Sequence, residues 1–207
     1  MPHDHSHGCG TECDHDHDVP ESQGHRDNLF LRIDRDNVVA LNVANGKGPE
    51  VVKPWHERMN EDMYLDSDAD DQIIIRVPFT GSVKLRALLL KAGPGDQTPA
   101  KVSLLSNLEH LDFSDVIERK PAQEFEVPQG RDVGEYHVLS AKFPAITSIT
   151  LFFPASQGGD TTRIYYVGFL GQWTERKTDP VVAVYESRAN PADHPKITGI
   201  HDVRSST

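Results

Sequence analysis

The run Ile73-Ile74-Ile75-Arg76-Val77-Pro78-Phe79-Thr80-Gly81-Ser82-Val83-Lys84-Leu85-Arg86-Ala87-Leu88-Leu89-Leu90-Lys91 carries the reading of the fold. It is dense in β-branched, aromatic and leucine side chains and shows no 3.6-residue apolar period, so it reads as strand. Thr80-Gly81-Ser82 is turn-type chemistry, which splits the run into two predicted strands, 73–79 and 83–91.

The same pattern extends outward in both directions. Residues 29–33 and 38–43 flank an Asp34-Arg35-Asp36-Asn37 turn, and 102–105, 123–127, 135–139, 146–153 and 163–171 are further short apolar stretches. Residues 181–185 add a candidate edge strand. Nearly every gap contains Gly, Pro, Asn or Asp. Residues 104–117 offer at most a turn or two of helix. Eight to ten short strands without a long helix predict an all-β jelly-roll sandwich, two sheets burying their alternating faces.

The ends read differently. Residues 1–28 contain six histidines, two cysteines and seven acids, with Val19 as the one sizeable apolar group after Met1. Such a segment buries too little surface to offset its ordering entropy, so a disordered tail is expected there. Pro191 and Pro195 argue against a strand near the C-terminus, and 196–207 is read as a flexible tail. The expected domain is therefore 29–195.

Charge and composition narrow the function classes. With 32 acidic and 21 Lys or Arg residues the formal net charge is −11, which disfavours nucleic acid. The basic pairs Arg119-Lys120 and Arg176-Lys177 each have acids nearby. No apolar run has the length of a membrane span, and the start lacks the pattern of a signal peptide. Cys9 and Cys13 are the two cysteines, so no disulfide framework is expected and a reducing compartment is, the cytoplasm first and the nucleus second.

Candidate chemistry is sparse. His3, His5, His7, Cys9, Cys13, His15 and His17 are good ligand types for zinc, copper or nickel. Three residues separate the cysteines, however, and no structured segment follows to orient them. Pro2 also lacks the amide N–H of an amino-terminal copper site. The competing reading is a solvated acidic tail with adventitious metal affinity, and no cofactor is expected.

Asp66-Ser67-Asp68-Ala69-Asp70-Asp71 opens like a calcium loop, but Asp71 and Val77 stand where an EF-hand needs glycine and glutamate. Nucleophile, metalloprotease, phosphate-loop and Cys-x-x-Cys motifs are absent. His56, His110 and His137 read as lone structural histidines, and Glu124, Glu126 and Glu135 as outward strand residues. Trp55 and Trp173 sit beside turns, where core packing outweighs an exposed anchor. Gly158-Gly159-Asp160-Thr161-Thr162 reads as a hairpin loop feeding the strand at 163–171.

Several motifs in order resemble one family. They are Phe30-Leu31-Arg32-Ile33-Asp34, Lys53-Pro54-Trp55 with Glu57-Arg58, Ser67-Asp68-Ala69-Asp70-Asp71, and Pro78-Phe79-Thr80-Gly81-Ser82-Val83-Lys84-Leu85. Gly159-Asp160-Thr161-Thr162-Arg163-Ile164-Tyr165-Tyr166-Val167-Gly168 and Tyr185-Glu186-Ser187 with Ala189-Asn190-Pro191-Ala192-Asp193-His194 complete the set. Together they resemble the PITH (proteasome-interacting thioredoxin C-terminal) domain family.

The resemblance implies a galactose-binding-like jelly roll that binds the 26S proteasome regulatory particle, not an enzyme. The redox motif of thioredoxin-fused relatives is missing, so reductase activity does not carry over. Loops on a rigid frame are the expected contacts: Lys53, Trp55, Arg58, Asp68, Asp70, Asp71, Asp160, Asn190, Asp193 and His194, in a monomer. His194 or His201 is also a candidate ligand for a metal on the partner. The alternative is a small-ligand module for carbohydrate or calcium, with Tyr165, Tyr166, Trp173 and the 66–71 loop as its parts.

Overall fold

In the computed structural model the described residues are 24–108 and 112–176. They contain eight strands: β1 Val39–Leu41, β2 Leu65–Asp66, β3 Ile73–Ala92, β4 Lys101–Ser106, β5 Gln123–Glu126, β6 Gly134–His137, β7 Ile146–Phe153 and β8 Arg163–Thr174. One short helix, α1 Phe113–Glu118, lies between β4 and β5. The chain forms two units, Met1–Arg176 and Lys177–Thr207. The second lies outside the described residues, and with it the candidate strand at 181–185.

β3 organises the fold. It is one continuous strand of 20 residues, not two strands joined by a turn. Its first half pairs with β1 and β7, from Ile73↔Phe153 to Pro78↔Ser148. Its second half pairs with β8 from Ser82↔Thr174 onward and with β6 from Leu90↔Gly134 to Ala87↔His137.

Proline has no N–H to donate, so regular pairing with β7 stops at Pro78. It resumes only at Val83↔Ile146. Thr80-Gly81-Ser82 is the passage in which the strand leaves one sheet for the other without reversing direction. Turn-type residues supply the bend. Gly81 is buried, and a Cβ there would overlap the Trp173 indole.

The resulting sandwich has β1, the first half of β3, β7, β4 and β5 on one side, and β6, the second half of β3, β8 and β2 on the other. Every pairing is antiparallel. Ile73, Ile75, Val77, Val83 and Leu85 point into the shared core, and after them Leu88 and Leu90 do so. The change from odd to even positions coincides with a register shift between Leu85 and Ala87, a bulge that turns the later side chains over.

Leu104, Leu151, Phe153, Val167 and Phe169 meet them from the facing strands. Each such burial is worth roughly 1.5–3 kcal/mol. On the outer faces, α1 lays Val116 on Ile74, Leu105 and Phe152, while Trp55 packs with Ala87, Leu89, Tyr166 and Leu170.

Other expectations change in detail. Residues 29–33 contain a 3-10 turn, Phe30–Arg32, closed by the Arg32 N–H donating to the Leu29 carbonyl; the sheet takes only an isolated bridge at Ile33↔Phe79. The strand expected at 38–43 shortens to β1 because Asn42 takes a left-handed φ of 60°. The segment 158–162 is not a hairpin. β7 and β8 lie on opposite sides of β3, so it crosses between the sheets. Glu124, Glu126 and Glu135 face outward as expected. No helix among the described residues is long and apolar enough to cross a membrane.

Candidate interaction surface

Two buried lysines build the most distinctive surface feature. Lys91 stands near the end of β3 with 3% of its surface exposed, and Lys53, before the 3-10 turn Trp55–Glu57, has 5%. The Lys53 Nζ donates to the backbone carbonyls of Asn60 at 2.8 Å and Met63 at 2.6 Å. The Lys91 Nζ donates to the Met59 carbonyl at 3.4 Å and pairs with Glu61 Oε1 at 2.7 Å. The Tyr165 ring centroid lies 5.8 Å from the same ammonium.

An unpartnered buried ammonium is strongly unfavourable, so these charge-assisted bonds hold residues 59–63 to the body from beneath. Burial lowers the Lys53 pKa and the Lys91 charge lowers it further, against the opposing pull of Glu57 and Asp62. The hydrogen bond from Lys91 holds the Glu61 carboxyl below its usual range. On the solvent side the loop presents Met59 and Met63, 43% and 45% exposed, beside exposed Glu57, Glu61 and Asp62.

Trp55 is covered rather than offered. The Arg58 guanidinium lies 4.1 Å from the indole centroid while its Nη1 donates to the Trp55 carbonyl at 3.0 Å. His25 meets the indole edge-on at 5.3 Å, and Gly24 lies so close that a Cβ there would overlap it. Trp173 is likewise stacked by Arg32 at 4.0 Å. Tyr165 and Tyr166 are 7% and 1% exposed. The aromatic parts named for a sugar platform are therefore occupied in packing.

The acidic loop is a clasp. The Asn42 side chain donates to the Asp70 carboxylate at 2.7 Å and the Gln72 carbonyl at 2.6 Å, and accepts from the Ala69 N–H at 3.0 Å. Asp66 takes Arg163; Asp71 Oδ2 accepts from the Ser156 N–H at 2.7 Å. Thr162 closes the other side, its hydroxyl donating to the Asp71 carbonyl at 2.6 Å and its N–H to Ser67 Oγ at 3.0 Å. Asp66, Asp70 and Asp71 turn to three different partners, and among the described residues no group of three His, Cys, Asp or Glu side chains could hold a metal ion.

Of the sequence-predicted contacts, Asp68, Asp70 and Asp160 are exposed; Trp55, Arg58 and Asp71 are half-buried and Lys53 is buried. Asn190, Asp193, His194 and His201 lie outside the described residues, as do His110 and the tail donors His3, His5, His7, Cys9, Cys13, His15 and His17. His56 meets Glu57 at 3.3 Å and His137 meets Glu135 at 3.6 Å, both at the surface. Among the described residues neither imidazole is hydrogen-bonded to a hydroxyl that it could activate. Sequence reasoning missed Lys91, Met59, Glu61 and Met63. The signal was there in Lys91, a charge closing the apolar run Leu88-Leu89-Leu90 and so demanding a partner.

An all-β sandwich with braced loops on its surface is the class of protein that the fold and this surface define. The chain belongs to the PITH domain family, whose model matches residues 19–189. It is 36% identical over 217 residues to PITH domain-containing protein 1 of Mus musculus, covering 100% of this chain and 98% of that one. It is 38% identical over 201 residues to PITH domain-containing protein CG6153 of Drosophila melanogaster, covering 94% of each. Neither name denotes an enzyme. Among solved structures it is similar to the family 32 CBM from C. perfringens NanJ in complex with galactose, at a TM-score of 0.46 and 7% identity over 64% of this chain and 91% of that one.

Proposed function

We propose that this chain is a non-enzymatic protein-interaction module that binds the regulatory particle of the 26S proteasome, with residues 55–63 in the contact. The observation that carries the reading is the braced loop itself. Two buried ammonium groups fix its backbone, so Met59 and Met63 are presented without a large further ordering cost on binding. Methionine is an adaptable contact residue, and such exposed apolar side chains flanked by charge suit a protein partner. Membership of the PITH family supports the choice of partner. With that partner goes a proposed location in the cytoplasm or nucleus, and the protein is proposed to act as a monomer.

The test is co-sedimentation of the full-length protein with intact 26S proteasomes at low salt, comparing wild type with the Met59→Ser/Met63→Ser double variant. Wild type is expected in the proteasome fractions and the double variant depleted from them at least about tenfold, a loss of about 1.4 kcal/mol. A folded wild-type protein that never enters those fractions defeats the proposal. Equal recovery of both proteins moves the contact away from 55–63.

A further inference from the structure

Below the same loop, a cleft of about 570 Å³ opens beside the end of β3. Its lining includes Glu61, Lys91, Gly95, Gly130, Arg131 and Tyr165. We propose that this cleft is a binding site for a small ligand carrying a carboxylate or phosphate group, and that the Glu61 carboxylate is its built-in competitor.

The cation and its anion are unequally placed. Lys91 is fixed in the wall, 3% exposed, whereas the Glu61 side chain is 56% exposed and reaches in from the solvent side. A fixed buried cation partnered by an exposed, exchangeable carboxylate is an anion subsite filled from within the chain. If Glu61 swings out, Lys91 keeps the Met59 carbonyl and the Tyr165 ring, and one N–H is free for an oxygen supplied from solution.

Arg131 adds a second positive charge, close enough to favour the ionised form of Glu61. With Glu61 in place Lys91, Arg131 and Glu61 sum to +1; with Glu61 displaced the two cations face the ligand alone. The walls leave room for more than the anionic group. A Cβ added at Gly95 or Gly130 would meet no heavy atom within 4 Å, so open space lies over both backbones. The cleft volume falls in the range of small-ligand sites.

A Glu61 contact closed about nine-tenths of the time lowers apparent affinity about tenfold, and removing the carboxylate restores it. The experiment is an amide-resolved NMR titration of the full-length protein with inorganic phosphate, and separately with acetate, at constant ionic strength. Wild type, Glu61→Gln and Arg131→Gln are compared. Glu61→Gln is expected to bind either anion about tenfold more tightly than wild type, with shifts centred on Lys91, Gly95 and Gly130, and Arg131→Gln to bind more weakly than wild type.

Response to phosphate alone or to acetate alone supports the site and fixes the oxyanion it prefers. Indistinguishable titrations of the three proteins, or shifts that map elsewhere, overturn the proposal. Both substitutions are at exposed positions, so a folding defect does not obscure the result, whereas a change at buried Lys91 would.

Discussion

Arg163 and Asp66 stand directly opposite each other where β8 meets β2, and their side chains are joined twice, Nε to Oδ1 at 2.6 Å and Nη2 to Oδ2 at 2.7 Å. The guanidinium is also stacked 4.2 Å from the Tyr64 ring centroid. The pair is 24% and 20% exposed, so solvent screens it only in part. Asp66→Ala leaves the arginine unpaired at the edge of the sandwich, and a loss of about 2 kcal/mol is expected in urea unfolding. For a domain of this size that lowers Tm by roughly 4–8 °C. A stability within error of wild type would show that the fork is surface decoration.

Gly171 tests the close approach of the two longest strands. It pairs with Leu85, and a Cβ built on it would overlap the Lys84 carbonyl oxygen and come within 3.2 Å of the Leu85 Cα. Both obstacles are backbone, so no side chain can rotate away. Gly171→Ala is expected to cost about 1–3 kcal/mol, the usual range for overpacking, while Gly158→Ala, in open space but at a φ of +117°, reports the cost of backbone strain alone. Comparing their denaturant midpoints separates steric from conformational cost.

The strand inventory was legible because β-branched and aromatic runs advertise pleated, buried surface wherever they occur. What failed was local chemistry overruled from a distance. Thr80-Gly81-Ser82 has turn residues, yet the core on both sides of it pulls one strand straight through, and glycine is needed there for Trp173 rather than for a reversal. The aspartates at 66, 70 and 71 look like a solvated or ligand-binding loop in sequence. Their partners, Arg163, Asn42 and Ser156, lie 28–97 residues away, and no local pattern reveals such clasps. Lys53 looked like a contact residue for the same reason: the carbonyls that cap its ammonium belong to a loop whose path the sequence does not show.

Arg86 is the residue at the β3 bulge, and its guanidinium joins Asp27 at 2.5 Å to Glu135 at 3.2 Å. It thereby fastens the segment before the sandwich, whose backbone is bonded from the Leu29 N–H to the Phe169 carbonyl and from the Gly171 N–H to the Asp27 carbonyl. The Arg86 side chain is 42% exposed, so Arg86→Ala is expected to cost no more than about 1 kcal/mol globally. The local effect is larger: amide hydrogen exchange at Gly171 and Leu29 is expected to quicken well ahead of exchange in central β3. Uniform exchange across all three sites would mean that Asp27 is not an anchor.

Tyr166 supplies a pH dependence with a definite sign. It is 1% exposed among Ala87, Leu89 and Leu170, and burial pushes its phenol from 10.0 up to about 12. The folded state therefore holds its proton over a range in which the unfolded chain has released it. The contribution is intact below pH 10 and is lost as pH rises from 10 through about 12. Two units correspond to about 2–3 kcal/mol.

Lys53 acts in the opposite sense, since burial disfavours its charged form and that penalty fades as pH rises toward 10.5. Up to about pH 10.5 wild type is accordingly expected to lose stability more gently than Tyr166 alone dictates, and above it at the slope Tyr166 sets. Tyr166→Phe removes the titrating group while keeping the ring, so its stability in urea is expected to fall less steeply over the same interval. A variant as alkali-sensitive as wild type would place the critical ionisation elsewhere, with Tyr136, also raised by burial, the next phenol to replace.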